Sequence, residues 1–182
     1  PNLSPKGRGK RWSVFRQWKP CIAWKKRCTP KDGIKLPALM KSVVAPWRAG
    51  DLPWAEAAVQ VLRRAGLSAE TRPDARAVLW RKLALNSAVN PITALARCTN
   101  GTLLRERPLL RIAEHAALES ARVGWKLKVL DPNFDPRGAL RSILEQTAAN
   151  RSSMMEDLAR GRRTEIEEIV GVVVALAREQ GV

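Results

Sequence analysis

The chain has 182 residues, of which 45% are hydrophobic, enough for one domain with a core of its own. No apolar run approaches the roughly 18 to 20 residues that cross a bilayer, and residues 1–20 lack the apolar core of a secretory signal. One histidine and three cysteines without zinc spacing predict no metal site, and the odd number of cysteines is typical of a cytoplasmic protein.

The formal net charge of +16 is concentrated in the first quarter of the chain. Residues 1–48 contain 13 Lys/Arg and one acid, whereas residues 49–182 contain 20 Lys/Arg and 16 Asp/Glu. Six prolines and four tryptophans interrupt residues 1–48, and no period of two or 3.6 persists there. Two interpretations stay open: a basic arm that binds phosphates and stacks bases, or a disordered, non-native leader. The balanced charge of the remaining chain favours the second.

Residues that typically start and end helices follow directly after this leader. Asp51 as an N-cap, Pro53 in the first turn and Gly66 as the stop predict a helix, and residues 67–72 then predict a short strand. A helix, a glycine turn and a short strand in this order resemble the last piece of an α/β sheet domain. We therefore interpret residues 49–73 as the remnant of such a domain.

The pattern of residues 74–182 is helical throughout, which makes the predicted fold mainly α. The second helix starts at Pro73-Asp74 and carries the segment "WRKLALNSAVNPITAL". Further helices are predicted at 108–124, 136–149, 153–160 and 164–180. The last two ranges form one long helix or two consecutive helices, and Gly161 between them is the residue where helical structure is least favoured.

Three polar residues interrupt the apolar second helix at intervals of four: Lys82, Asn86 and Asn90. Residues four apart lie on one face of an α-helix, so these side chains line one stripe over roughly 12 Å. Buried ammonium and amide groups need hydrogen-bond partners. The pattern alone leaves two interpretations open, a solvated face or a stripe that faces a ligand.

Two later segments also carry polar side chains. In "CTNGTL", the step Asn100-Gly101 predicts a turn, which places Asn100 in a loop. In "NRSSMMEDLARGRRTEIEE", Ser153 and Glu156 fit a capping box, in which each side chain bonds a free backbone N–H group. The start of the same helix is also suited to binding a carboxylate, because its N–H groups favour anions.

Together, "WRKLALNSAVNPITAL", "CTNGTL" and "NRSSMMEDLARGRRTEIEEI", in this order and spacing, resemble the ketopantoate reductase (2-dehydropantoate 2-reductase) family. The resemblance covers residues 51–182. It implies an N-terminal Rossmann domain for NADPH and an all-helical substrate domain, similar to the C-terminal domain of 6-phosphogluconate dehydrogenase, with the active site between them. The implied reaction is the NADPH-dependent reduction of 2-dehydropantoate to (R)-pantoate, a step of pantothenate and coenzyme A biosynthesis.

The resemblance also implies roles for individual residues. Lys82 corresponds to the catalytic proton donor, and Glu165 corresponds to a glutamate on the cofactor side. A lysine suits this role because its ammonium stabilises the charge that develops on a ketone oxygen when hydride reaches the carbon. The substrate-binding residues implied by the resemblance are Asn86, Asn90, Asn100, Asn150, Ser152 and Ser153.

The nucleotide-binding turn of the family, Gly-x-Gly-x-x-Gly, has no full match in the chain. The segment "GRGKRW" at 7–12 lacks the third glycine and follows no predicted strand. We therefore expect the substrate-binding C-terminal part of such an enzyme, inactive without its main NADPH-binding domain. Its expected partner is a small 2-keto acid rather than a membrane or a nucleic acid.

Two other classes of function remain as alternatives. The first is a nucleic-acid-binding protein that acts through residues 1–48. The second is a non-catalytic dimerisation module, in which the C-terminal helix packs against a second copy of the chain. A homodimer is also compatible with the enzyme.

Overall fold

A computed structural model describes residues 42–182 of the chain. The predictions for residues 1–41, both the basic arm and the disordered leader, lie outside the described residues. In the described part of the chain, no helix is long and apolar enough to cross a membrane.

The described chain opens with a small β-α-β unit. Its elements are strand β1 (Ser42–Val44), a 3-10 turn (Ala49–Asp51), helix α1 (Leu52–Arg64) and strand β2 (Ala69–Thr71). The two strands pair in parallel, with Val43 opposite Glu70, and a parallel pair requires a crossover such as α1. The prediction of a short α/β segment before the helical domain is therefore confirmed, and its origin in a larger sheet domain stays a prediction.

Two details of this unit differ from the prediction. Strand β1 lies inside residues 1–48, which the composition predicted to be an irregular leader. The strand was not predicted because three residues are too few to show a period of two. Asp51 occupies the N-cap position of α1, but its side chain makes no capping hydrogen bond. The predicted stop is confirmed: Gly66 has a φ of +79°, a conformation that glycine adopts without a steric penalty.

The remainder of the described chain is helical, as predicted for residues 74–182. Its helices are α2 (Ala75–Ala96), α3 (Asn100–Arg105), α4 (Arg107–Lys126), α5 (Pro136–Gln146), α6 (Ser153–Ala159) and α7 (Val172–Gln180). A π-helical turn, Glu167–Gly171, leads directly into α7. Gly161 has a φ of +62° and lies in the break between α6 and this turn, where the sequence predicted a weak point.

The two longest helices, α2 and α4, pack along each other at the centre of the helical domain. Trp80 of α2 is fully buried, and its indole N–H donates to the carbonyl of Ser120 at 3.1 Å. Gly124, one turn further along α4, leaves the space that the indole fills. The hydroxyls of Ser87 and Ser120 form a second link between the helices at 2.7 Å.

Helices α3 and α5 complete the core around this pair. The apolar side chains that pack together come from four helices and include Ala88, Val89, Leu103, Leu110, Ala113, Ala117, Leu140 and Leu144. Three of these are alanines on α2 and α4, and small side chains let two helices approach closely.

We predict that Gly124→Ala destabilises the chain, because the added Cβ would overlap the indole of Trp80. The expected loss is about 1–3 kcal/mol in the free energy of unfolding, as is typical of overpacked cores. Urea denaturation followed by circular dichroism measures it.

Gly50→Ala is the matched control, since a Cβ at Gly50 has no atom within 4 Å. Its unfolding free energy should change by no more than about 0.5 kcal/mol. Equal effects of the two substitutions would show that the contact with Trp80 does not determine the result.

Candidate active site

The rotation of α2 determines which way the polar stripe faces. Asp74 is the N-cap of the helix, and its side chain accepts a hydrogen bond from the Arg76 N–H at 2.8 Å. Residues two apart on a helix point about 200° apart, so burial of Trp80 against α4 directs Lys82 away from α4. The Lys82 end of the predicted stripe therefore faces away from the main packing partner of α2, and the stripe turns back toward it by about 40° at each step to Asn86 and Asn90.

Exposure falls steadily along this stripe. Lys82 is exposed, Asn86 is half-buried, and Asn90 is only 6% exposed. Within the described residues, none of these three side chains has a hydrogen bond or an ion pair. The amide atoms of Asn90 are not among the fully buried atoms that lack a partner. The choice between a ligand-facing stripe and a solvated face therefore stays a prediction.

Thr93, one turn beyond Asn90, joins the buried end of the stripe to another part of the chain. Its side chain is fully buried, and its Oγ1 lies 2.7 Å from Ser152 Oγ and 2.8 Å from the carbonyl oxygen of Val89. Ser152 Oγ also accepts a hydrogen bond from the N–H of Met155 at 3.2 Å. This contact places the start of α6 beside the last turns of α2.

The capping box predicted at Ser153 and Glu156 is wrong by one residue. Ser152 is the N-cap of α6, while Ser153 is exposed and forms the first residue of the helix. Glu156 pairs instead with Arg151 at 3.1 Å and Arg160 at 3.2 Å. Two adjacent serines are equivalent in the sequence, and the contact with Thr93 in the folded chain selects the first.

The turn predicted at Asn100-Gly101 is also wrong, because these residues begin α3. The backbone N–H groups of Asn100 and Gly101 donate to the carbonyls of Asn150 at 3.0 Å and Ala148 at 2.9 Å. A Cβ on Gly101 would lie 2.8 Å from that of Ala148. The glycine therefore serves this close approach rather than a turn.

The side chain of Asn100 is buried between α3 and the end of α5. Its Nδ2 donates to Thr147 Oγ1 at 2.9 Å. Its Oδ1 is buried and has no hydrogen-bond partner among residues 42–182. Neither Thr147 nor Thr93 was predicted as a residue of the candidate site. The only sequence signal for either is its position three residues from a candidate asparagine.

The structure thus brings one group of the predicted residues together. The contacts of Thr93 and of the start of α3 join Asn90, Asn100, Asn150 and Ser152, but Asn90 and Asn150 take part only through their backbone carbonyls, and Asn150 is exposed. Other predicted residues lie around this group: Lys82 and Asn86 further along α2, and Ser153 at the surface. Glu165 is exposed and lies two residues before the π-helical turn, which packs against α2.

This helical part of the chain matches a known family. Residues 74–182 fit the family profile described as "Ketopantoate reductase PanE/ApbA C terminal". The chain belongs to the ketopantoate reductase family. The resemblance inferred from the three sequence motifs is confirmed.

A curated relative supports the same assignment. The 2-dehydropantoate 2-reductase of Archaeoglobus fulgidus is 41% identical over 132 residues, which cover 70% of this chain and 42% of that protein. The chain therefore spans less than half the length of the curated relatives that it matches.

Two solved structures share the fold. A PanE/ApbA family ketopantoate reductase from Ralstonia eutropha JMP134 is 28% identical, with a TM-score of 0.64 over 78% of this chain and 46% of that one. D-mandelate dehydrogenase, solved with NADH and anilino(oxo)acetate, reaches a TM-score of 0.70 over 78% and 46% of the two chains. The latter is only 20% identical, so its likeness concerns the fold.

The described cysteine adds no reactive group to this ketopantoate reductase domain. Burial raises the pKa of the Cys98 thiol above its usual value, so the thiol stays protonated at neutral pH. Across residues 42–182, no three His, Cys, Asp or Glu side chains are grouped as metal ligands would be. Amides, hydroxyls and one ammonium therefore make up the candidate site.

We predict that Ser152→Ala and Ser153→Ala have different effects on stability. Ser152→Ala removes the cap of α6 and the partner of Thr93, and should lower the free energy of unfolding by about 1–2 kcal/mol. Ser153→Ala changes an exposed side chain and should alter it by less than about 0.5 kcal/mol. Urea denaturation of the two variants makes the comparison, and the reverse order would restore the cap predicted at Ser153.

Proposed function

We propose that this chain supplies the substrate-binding part of a reductase that converts 2-dehydropantoate to (R)-pantoate, in pantothenate and coenzyme A biosynthesis. The observation that carries the proposal is the stripe of Lys82, Asn86 and Asn90, whose side chains have no partner within the described residues. The reductases that the chain resembles in sequence support the same substrate, a small 2-keto acid.

Lys82 is the proposed proton donor. When hydride reaches the carbonyl carbon of a 2-keto acid, negative charge develops on the ketone oxygen. An ammonium close to that oxygen stabilises the charge and transfers a proton to it, which yields the 2-hydroxy acid. Lys82 is exposed, at the open end of the stripe, where a second domain has access to the reacting carbon.

The asparagines and serines are the proposed substrate-binding groups. 2-Dehydropantoate carries a carboxylate, a ketone and a hydroxyl, and neutral amides and hydroxyls hydrogen-bond all three without adding charge. Asn86 and Asn90 follow Lys82 along α2, while Asn100, Asn150, Ser152 and Ser153 belong to the segments that the Thr93 and Thr147 contacts connect.

The proposed cofactor is a pyridine nucleotide, specifically NADPH, which supplies the hydride when bound. The phosphates of such a cofactor need a turn with closely spaced glycines. The chain has a single Gly-x-Gly, at Gly7 and Gly9, outside the described residues. Within residues 42–182, Glu165 is the residue that we assign to the cofactor side.

We predict that the full chain binds 2-dehydropantoate and that Lys82→Ala and Asn90→Ala each weaken binding by about tenfold. The reason is that each side chain is free to bond the ligand, and a bond involving a charged group is worth a factor of this order. Isothermal titration calorimetry measures the affinity. Lys126→Ala, which changes another exposed lysine, is the control and should bind like the parent chain.

We further predict that the chain with NADPH and 2-dehydropantoate oxidises little or no cofactor. Fusion to the nucleotide-binding part of the Archaeoglobus fulgidus relative should restore turnover, followed by absorbance of the reduced nicotinamide. In that fusion, Lys82→Ala should lower kcat by about 100-fold or more, because general acids contribute at least this factor. A kcat within about threefold of the parent fusion would exclude Lys82 as the proton donor.

A further inference from the structure

Thr93 extends the stripe of Lys82, Asn86 and Asn90 by one more turn of α2. Eleven residues separate it from Lys82, which corresponds to three helical turns and about 20°, so the two side chains leave the helix in nearly the same direction. Thr93 is fully buried, and its hydroxyl is hydrogen-bonded. The buried end of this face of α2 is therefore closed by a contact with another part of the chain.

The contact is made with the start of α6. Oγ1 of Thr93 lies 2.7 Å from Oγ of Ser152, the N-cap residue of that helix. Among residues 42–182, no other hydrogen bond joins Ser152 or α6 to α2. The residue two positions earlier is held by α3 instead, because the carbonyl of Asn150 accepts from the Asn100 N–H at 3.0 Å. One pair of hydroxyls therefore provides the only directional link between α6 and α2 in this part of the chain.

Apolar packing alone does not fix the position of α6 along α2. The two helices pack against each other, and Met154 of α6 is buried. Apolar contacts are non-directional and methionine adapts to different surroundings, whereas a hydrogen bond weakens steeply when its geometry changes. The bond between Thr93 and Ser152 therefore sets the register of α6 on α2, and with it the place of the next residue, Ser153.

We propose that Thr93 is a positioning residue of the substrate site: through Ser152, it holds the start of α6 in register with the polar stripe of α2. The inference rests on the proposed function, since it takes groups on both helices as substrate-binding. Thr93 is fully buried and does not itself contact the ligand, whereas Lys82 and Ser153 are exposed and open to one. Loss of the Thr93 hydroxyl should weaken binding without removing any group that binds.

Calorimetry with 2-dehydropantoate on the full 182-residue chain tests the proposal. Thr93→Val removes the hydroxyl but keeps the branched shape, and the affinity should fall by about fivefold to tenfold, the factor expected for one lost hydrogen bond. Thr93→Ser keeps the hydroxyl and should bind within about twofold of the parent chain. Parent-like affinity of a folded Thr93→Val chain would overturn the proposal.

Ser120→Ala is the matched control for a purely structural effect. It removes another buried hydroxyl that lies 2.7 Å from a hydroxyl of α2, that of Ser87, but it does so on the side of α4. Its melting temperature should fall about as much as that of Thr93→Val, whereas its affinity should stay within about twofold of the parent value. Equal losses of affinity in the two variants would overturn the positioning role, because reduced stability alone would then explain both.

A double-mutant cycle determines whether Thr93 acts through Ser152. Ser152→Ala already breaks the contact, so the addition of Thr93→Val should lower the affinity by less than about twofold further. Fully additive losses would overturn the route through Ser152. Far-ultraviolet circular dichroism of each variant establishes that it is folded before its affinity is compared.

The parent chain separates this inference from the proposed function. If it does not bind 2-dehydropantoate, the proposed function fails and the inference fails with it. If it binds, hydrogen–deuterium exchange gives a test that depends on no variant: the ligand should slow the exchange of amides in α6 as well as in α2. Protection of α2 alone would overturn the inference and leave the proposed function in place.

Discussion

The burial of the Trp80 indole against Gly124 is the contact on which the rest of the helical domain depends. It sets the distance between α2 and α4 and, with the bond to the Ser120 carbonyl, their relative rotation. Once the indole faces α4, the periodicity of the helix directs Lys82 to the other side, and Asn86 and Asn90 follow with a drift of about 40° per step. One glycine on a neighbouring helix therefore determines where the polar stripe points.

The candidate site is assembled by hydrogen bonds between segments that lie far apart in the chain. Thr93 on α2 contacts Ser152, 59 residues later, and Asn100 contacts Thr147, 47 residues later. Both contacts converge on the segment between α5 and α6, and two backbone bonds from α3 hold the same segment. Buried hydrogen-bonded side chains of this kind are unfavourable unless each polar atom has a partner. Among the atoms of these contacts, Asn100 Oδ1 has no partner within the described residues.

The parts of the fold that could be predicted from the sequence depend on local interactions. The cap at Asp74, the stop at Gly66 and the stripe on α2 each follow from residues within a few positions of one another. Strand β1 could not be recognised because it exists only through pairing with β2. Ser152 rather than Ser153 caps α6 because Ser152 contacts Thr93, which is distant in the sequence. The sequence predicts a turn at Gly101 because the close approach of Ala148 exists only in the folded chain.

The gradient of exposure along α2 has a consequence for how affinity and reactivity are divided in the proposed reductase. In the proposed roles, the groups at the buried end, around Asn90, would meet the ligand where little water enters, which would strengthen their hydrogen bonds. Lys82 would meet it at the open end, where the proton that it donates is readily replaced from solvent. Recognition and proton supply are thus about 12 Å apart on one helix, so either can vary during evolution without disturbing the other.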